Sequence, residues 1–185
     1  MEPDSYRPSR RALLGVFAGL AVTAAAPVYA RAPGLLRGAG DIRRVRMHNQ
    51  RTGESVDTVY YANGKYIQEA VTEISFFMRD WRQNEVKKYD ARNVDILAAT
   101  LRMMDTEEPY LVISGYRTPQ TNRMLKGAAR DSYHMKAMAA DVRLKSRSTP
   151  NVYKAAMACE GGGVGLYNRS NFVHMDCGPI RTWRG

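Results

Sequence analysis

Residues 42–185 predict an α+β domain, a small and largely antiparallel sheet packed with helices. Three observations point there. Two stretches repeat apolar residues at helical spacing, several short apolar or alternating runs bounded by Gly, Asn and Pro read as strands, and the two kinds of element follow one another in mixed order.

Taken along the chain, residues 31–41 hold Pro33, Gly34, Gly38 and Gly40 and read as a linker. "IRRVRMHNQRTGESVDTVYY", residues 42–61, alternates imperfectly around Thr52-Gly53 and predicts a hairpin at a sheet edge. His48 lies in it among polar neighbours and is assigned no role. From Ile67 the period changes: Ile67, Ala70, Val71, Ile74, Phe77, Met78 and Trp81 share one helical face. Val94, Leu97, Ala98, Leu101 and Met104 repeat the pattern in a second helix, and both stripes are core. "YLVISGY", residues 110–116, is a short buried strand, and Thr118-Pro119 supplies the cap and first-turn proline of a third helix. "AADVRL", residues 139–144, is a strand; Thr149-Pro150 opens a helix running to about Ala158. "GGGVGLY" and "FVHMDCG" are two final strands joined by the polar turn Asn168-Arg169-Ser170.

The first thirty residues belong to a different class. "SRRALLG", residues 9–15, places an arginine pair before the apolar run Ala12–Ala26, which has the length of a signal-peptide core and is short for a membrane span. Val28-Tyr29-Ala30 suits signal peptidase, and Ser-Arg-Arg-x-Leu-Leu resembles the twin-arginine export signal. The expected division is a signal peptide at 1–30, the linker at 31–41 and one domain at 42–185, with no stable membrane span in the mature chain. The alternative is an uncleaved N-terminal anchor. On either reading the working domain lies outside the cytoplasm, in the periplasm or cell envelope.

Residues 1–30 carry three arginines and two acids, so their removal lowers the formal net charge from +10 to +9. A basic exported protein suits a polyanionic partner such as a membrane surface or a wall polymer, or the charge is a solvated face. Nucleic acid is not expected, because no aromatic–basic recognition signature appears. Cys159 and Cys177 are too few for a disulfide scaffold or a thiolate metal site, and they are either a single disulfide or two buried thiols. The sequence leaves the oligomeric state open.

"SYHMKAMAADVRL" and "SNFVHMDCGP" carry the candidate chemistry. Strand period puts Phe172, His174 and Asp176 on one face. If this strand neighbours the one that opens with Asp141, His174 and Asp141 meet, and His134 can join them from the preceding loop. Two imidazoles and one carboxylate leave a zinc position open, as a catalytic site requires. The same spacing also suits a capping histidine at 134 and a buried, hydrogen-bonded histidine at 174.

"SGYRTPQTNRMLKGAARDSYHMKAMAAD" followed by "GGGVGLYNRSNFVHMDCGPIRTW" resembles the zinc murein peptidases of the D-alanyl-D-alanine carboxypeptidase superfamily, within it the murein endopeptidase K group. The shared marks are Ser114-Gly115-Tyr116-Arg117, then Ser132 with His134 and Asp141, then His174 on a strand; together they span about residues 40–185. The resemblance implies the zinc D-Ala-D-Ala peptidase/hedgehog-like fold and one zinc per chain held by His134, Asp141 and His174. It also puts Arg117 near the metal with its fork towards a substrate carbonyl or carboxylate, or in a structural salt bridge. Tyr116 stands beside it as a substrate-binding pocket wall or as plain core. Two departures stand out. Ala137 occupies a position where relatives carry glycine, which matters if the backbone there is left-handed. Asn171 replaces an acid that serves relatives as general base. Asp176 is then the expected catalytic base, its alternative being an acceptor that orients His174.

The implied function is hydrolysis of the peptide crosslinks of peptidoglycan by an exported zinc peptidase. Two rivals remain: a carboxypeptidase or dipeptidase acting on uncrosslinked D-Ala-D-Ala stems, and a wall-binding module that keeps the fold and metal without cleaving.

Overall fold

The computed structural model describes residues 40–185; the expected signal peptide and residues 31–39 of the expected linker lie outside the described residues. Thirteen elements follow. β1 (Arg43–His48) and β2 (Ser55–Ala62) form the expected hairpin, with Met47 opposite Val56. Asn63 and Gly64, both at positive φ, turn the chain into the two-residue β3 (Lys65–Tyr66). The sequence reading has no β3, although Asn-Gly is the dipeptide that tight hairpin turns favour.

α1 (Gln68–Phe77) buries Ala70, Val71, Ile74 and Phe77. It stops earlier than the apolar period implies: Met78 caps it, and Asp80 pairs with Glu85, which turns the chain and leaves Trp81 half-buried in a loop. α2 (Ala91–Met103) starts at Asp90, whose carboxylate accepts from the Arg92 N–H. β4 (Tyr110–Ser114) leads to α3 (Pro119–Met124), capped by Thr118 as expected. A 3-10 turn, Tyr133–Lys136, precedes β5 (Ala139–Arg143). α4 (Thr149–Ala158), β6 (Gly163–Tyr167) and β7 (Phe172–Asp176) lie where the sequence puts them. β8 (Arg181–Arg184) has no counterpart in the sequence reading.

The strands make one sheet in the order β3-β2-β1-β4-β5-β7-β6-β8, antiparallel except at β1–β4 and β6–β8. The α+β class and the mostly antiparallel sheet are therefore as expected, while β1 is internal rather than at an edge. Val173 and Met175 of β7 are fully buried, and Met175 reaches Thr100 of α2. Strand alternation then sends His174 and Asp176 to the opposite face.

Candidate metal centre

The pairing registers set one row of residues across the sheet. Ser114 of β4 pairs with Asp141 of β5, Asp141 with His174 of β7, His174 with Gly165 of β6, and Gly165 with Trp183 of β8. The neighbouring row runs Ala139, Asp176, Gly163, Arg181. Both glycines have a steric reason: a Cβ at Gly165 would collide with the Trp183 indole, and one at Gly163 with Arg181. Without side chains there, β8 lays Trp183 beside His174, with ring centroids 5.2 Å apart.

His134 arrives from the 3-10 turn. Ser132 caps that turn by accepting the His134 N–H, which accounts for the Ser-x-His spacing. His134 Nε2 then lies 3.1 Å from Asp141 Oδ1 and 3.2 Å from His174 Nδ1, and His174 Nδ1 lies 2.9 Å from the same Oδ1. The three residues are buried, and their ligand atoms are close enough together to hold one metal ion.

Their outer partners decide what those atoms present. His134 Nδ1 is 2.7 Å from the Gly115 carbonyl, which can only accept, so that nitrogen carries the proton and Nε2 offers a lone pair. His174 Nε2 is 2.8 Å from Asp176 Oδ2 and donates to it, so in the neutral ring Nδ1 offers a lone pair as well. Two imidazole lone pairs and a carboxylate oxygen converge within about one hydrogen-bond length. A cation satisfies such a set, whether a metal ion or a proton shared between His174 Nδ1 and Asp141 Oδ1, and two nitrogens with one oxygen are a donor set that fits zinc. Burial alone would raise the Asp141 pKa, but both histidines outweigh it and hold the carboxyl far below its usual range. Burial lowers the His134 pKa despite Asp141; at His174 the bonds to Asp141 and Asp176 overcome burial and raise it.

Asp176 stands behind His174, next to the three ligand candidates. It is fully buried, and both oxygens are taken: Oδ1 accepts from the Gly178 N–H at 2.9 Å and Arg181 Nη1 at 3.0 Å, Oδ2 from Arg181 Nη2 at 2.7 Å and His174. Burial would raise its pKa; His174, Arg181 and the Gly178 amide bring it down to about 2. These contacts suit an acceptor that orients His174. The sequence signal for it is Arg181, five residues on, and that signal has meaning only once β8 is known.

Arg117 reaches the site but spends its fork on the protein. Its Nη2 donates to Asp141 Oδ2 and its Nε to Ser114 Oγ at 2.7 Å. Tyr116 is buried in the core with its hydroxyl on Glu85 Oε1 at 2.9 Å, so it packs rather than lining the site. Asn171 occupies the turn before β7, exposed and at φ 53°. Ala137 does adopt the left-handed conformation, φ 55° and ψ 40°, directly after the turn that carries His134. An L-residue held there costs about 1–2 kcal/mol. Cys159 and Cys177 are two free thiols, and His48 pairs with Ser55 at 2.9 Å across the hairpin.

The three ligand candidates form the floor of a cleft of about 600 Å³. Its walls carry Arg51, Arg82, Arg117, Lys126 and Arg181, against Asp131 and Asp141 as the acids. The site is therefore a buried acceptor triad at the base of a positively charged cleft. Among the described residues no helix is long and apolar enough to cross a membrane.

A family model described as peptidoglycan L,D-endopeptidase MepK matches residues 37–183. The Escherichia coli (strain K12) protein of that name is 39% identical over 145 residues, covering 76% of this chain and 80% of its own length. The Shigella flexneri protein of the same name gives the same figures. A probable peptidoglycan L,D-endopeptidase MepK from Haemophilus influenzae is 33% identical over 150 residues, 77% of this chain and 80% of its own.

Proposed function

The chain belongs to the peptidoglycan L,D-endopeptidase MepK family, and from that premise we propose that it is an exported, zinc-dependent endopeptidase that hydrolyses peptide crosslinks of peptidoglycan. One observation carries the reading: three acceptor atoms, His134 Nε2, Asp141 Oδ1 and His174 Nδ1, converge at the base of a basic cleft with their outer partners fixing the lone pairs inward.

The chain's own residues divide the work. His134, Asp141 and His174 hold one zinc ion. The Gly115 carbonyl and Asp176 fix the two ring tautomers, and Arg181 fixes Asp176. Arg117 holds Asp141 in place by its second oxygen. Zinc supplies Lewis acidity towards a scissile carbonyl and activation of water near neutral pH. The basic walls favour a substrate with free carboxylates, as crosslinked stem peptides have. The twin-arginine pair Arg10-Arg11 delivers the domain, residues 42–185, to the envelope.

The test is metal analysis of the dialysed mature protein together with mass spectrometry of the products released from purified sacculi. We expect one zinc per chain and peptide fragments cut within crosslinks. Release of free D-alanine alone would favour the carboxypeptidase rival, and metal binding with no release would favour the wall-binding rival.

A further inference from the structure

Arg117, the residue the motif offers for substrate carboxylates, is already bonded to Asp141 and Ser114. Arg181 is likewise bonded to Asp176. Two other guanidiniums line the same cleft and are not spent in this way. Arg51 and Arg82 are exposed, and among the described residues neither side chain forms a hydrogen bond or a salt bridge. Both lie over one indole: the Arg82 guanidinium carbon is 4.2 Å from the centre of the Trp81 ring, that of Arg51 5.7 Å. A guanidinium held against a ring face keeps its in-plane N–H edge free for an oxyanion and loses less side-chain freedom on binding one. The two come from separate elements, the β1–β2 turn and the loop after α1. Like charges facing one cleft favour an anionic ligand.

We infer that Arg51 and Arg82, set against Trp81, form a carboxylate-binding subsite that selects crosslinked stem peptides by a free carboxylate beside the scissile bond. The inference rests on the proposed peptidase reading and sharpens it: Arg117 organises the metal ligands, and recognition of the substrate's charge falls to the arginine pair. Electrostatics within the cleft agree, since burial lowers the Arg82 pKa, Asp80 opposes that, and the Arg51 and Arg117 charges lower it again. Arg82 therefore feels both other guanidiniums, and a carboxylate placed beside it relieves that repulsion.

The experiment is a calorimetric titration of the zinc-loaded protein with a synthetic crosslinked stem-peptide dimer in two forms, free carboxylate and carboxamide. Wild type is expected to bind the carboxylate form at least about tenfold more tightly, the scale of one charge-assisted hydrogen-bonded pair. R51Q/R82Q is expected to lose that preference at unchanged zinc content, and R51K/R82K to keep only part of it, because lysine retains the charge without the fork. A preference that survives in R51Q/R82Q, or its absence in wild type, would overturn the subsite. Digestion of sacculi is scored separately. Intact sacculi with a preference that depends on the arginines would refute the peptidase reading and leave the subsite standing.

Discussion

The molecule buries two carboxylates in opposite ways. Asp95, on α2, is surrounded by donors: Arg43 Nη1 at 2.8 Å, the Tyr60 hydroxyl at 3.0 Å and the Tyr66 hydroxyl at 2.5 Å. Its charge is matched by one guanidinium, and the cluster is closed. Asp141, on β5, is just as buried and its Oδ2 accepts from Arg117, but its Oδ1 faces two imidazoles that each already donate outward from the other ring nitrogen. A carboxylate ringed by donors on both oxygens serves stability, whereas one that turns an oxygen to two imidazoles can share a cation with them. That contrast, rather than burial or the mere presence of histidines, distinguishes a metal site from a structural ion pair.

The largest effect should separate the two sites by function. Asp141→Asn removes the charged ligand and is expected to lower hydrolysis of sacculi by about three orders of magnitude, several kcal/mol of transition-state stabilisation. Asp95→Asn should leave zinc content at the wild-type level; a loss of zinc there would erase the distinction.

Stability should rank them the other way. Asp95→Ala leaves the buried Arg43 without its partner and is expected to cost about 3–5 kcal/mol in urea unfolding. Metal-free Asp141→Asn should lose less, because the amide oxygen can still accept from Arg117 while the new N–H donates to an imidazole lone pair. Equal losses would mean that Asp141 is as structural as Asp95.

A third variant tests how far the open arrangement extends. Asp176→Asn weakens the hold on the His174 tautomer, so zinc affinity should fall by about tenfold or more, with hydrolysis recovering at saturating zinc. Arg181→Ala should act in the same direction and less strongly. Hydrolysis that stays about a hundredfold down at saturating zinc would assign Asp176 the base role.

The smallest effect belongs to the closed cluster. Tyr66→Phe removes one donor from Asp95 and should cost about 1–2 kcal/mol. The phenols of Tyr60 and Tyr66 are pushed above the ordinary value of about 10, by burial first and then by Asp95. Their folded values exceed their unfolded ones, so the stabilisation is complete below pH 10 and is lost as pH rises through the shifted values. Unfolding measured from pH 9 upwards should show that decline setting in above pH 10, and a reduced one in Tyr66→Phe.

Much of the fold and of the site is legible in the residues themselves. The helical stripes and the caps Thr118 and Ser132 follow from local chemistry. So does the shared face of His174 and Asp176, because strand period acts within a few residues. The end of α1 is not legible in this way: Trp81 continues the apolar period, yet the Asp80–Glu85 pairing bends the chain first and puts Trp81 beneath two arginines. β8 is equally hidden, since "RTWR" has neither the length nor the apolar content of a strand and pairs only because Gly163 and Gly165 admit Arg181 and Trp183.

The sequence by itself determined which residues could ligate a metal, their order, and the elements that carry them, because motif spacing, capping and period are short-range properties. Tertiary structure alone decided what each polar group has left to offer. Arg117 is committed to Asp141, Asp176 to Arg181 and His174, while the Arg51 and Arg82 side chains lie on Trp81 with no hydrogen bond or salt bridge among the described residues. A side chain's remaining hydrogen-bonding capacity depends on neighbours that arrive from distant segments, and that arrangement exists only once the sheet has brought β4, β5, β7 and β8 together.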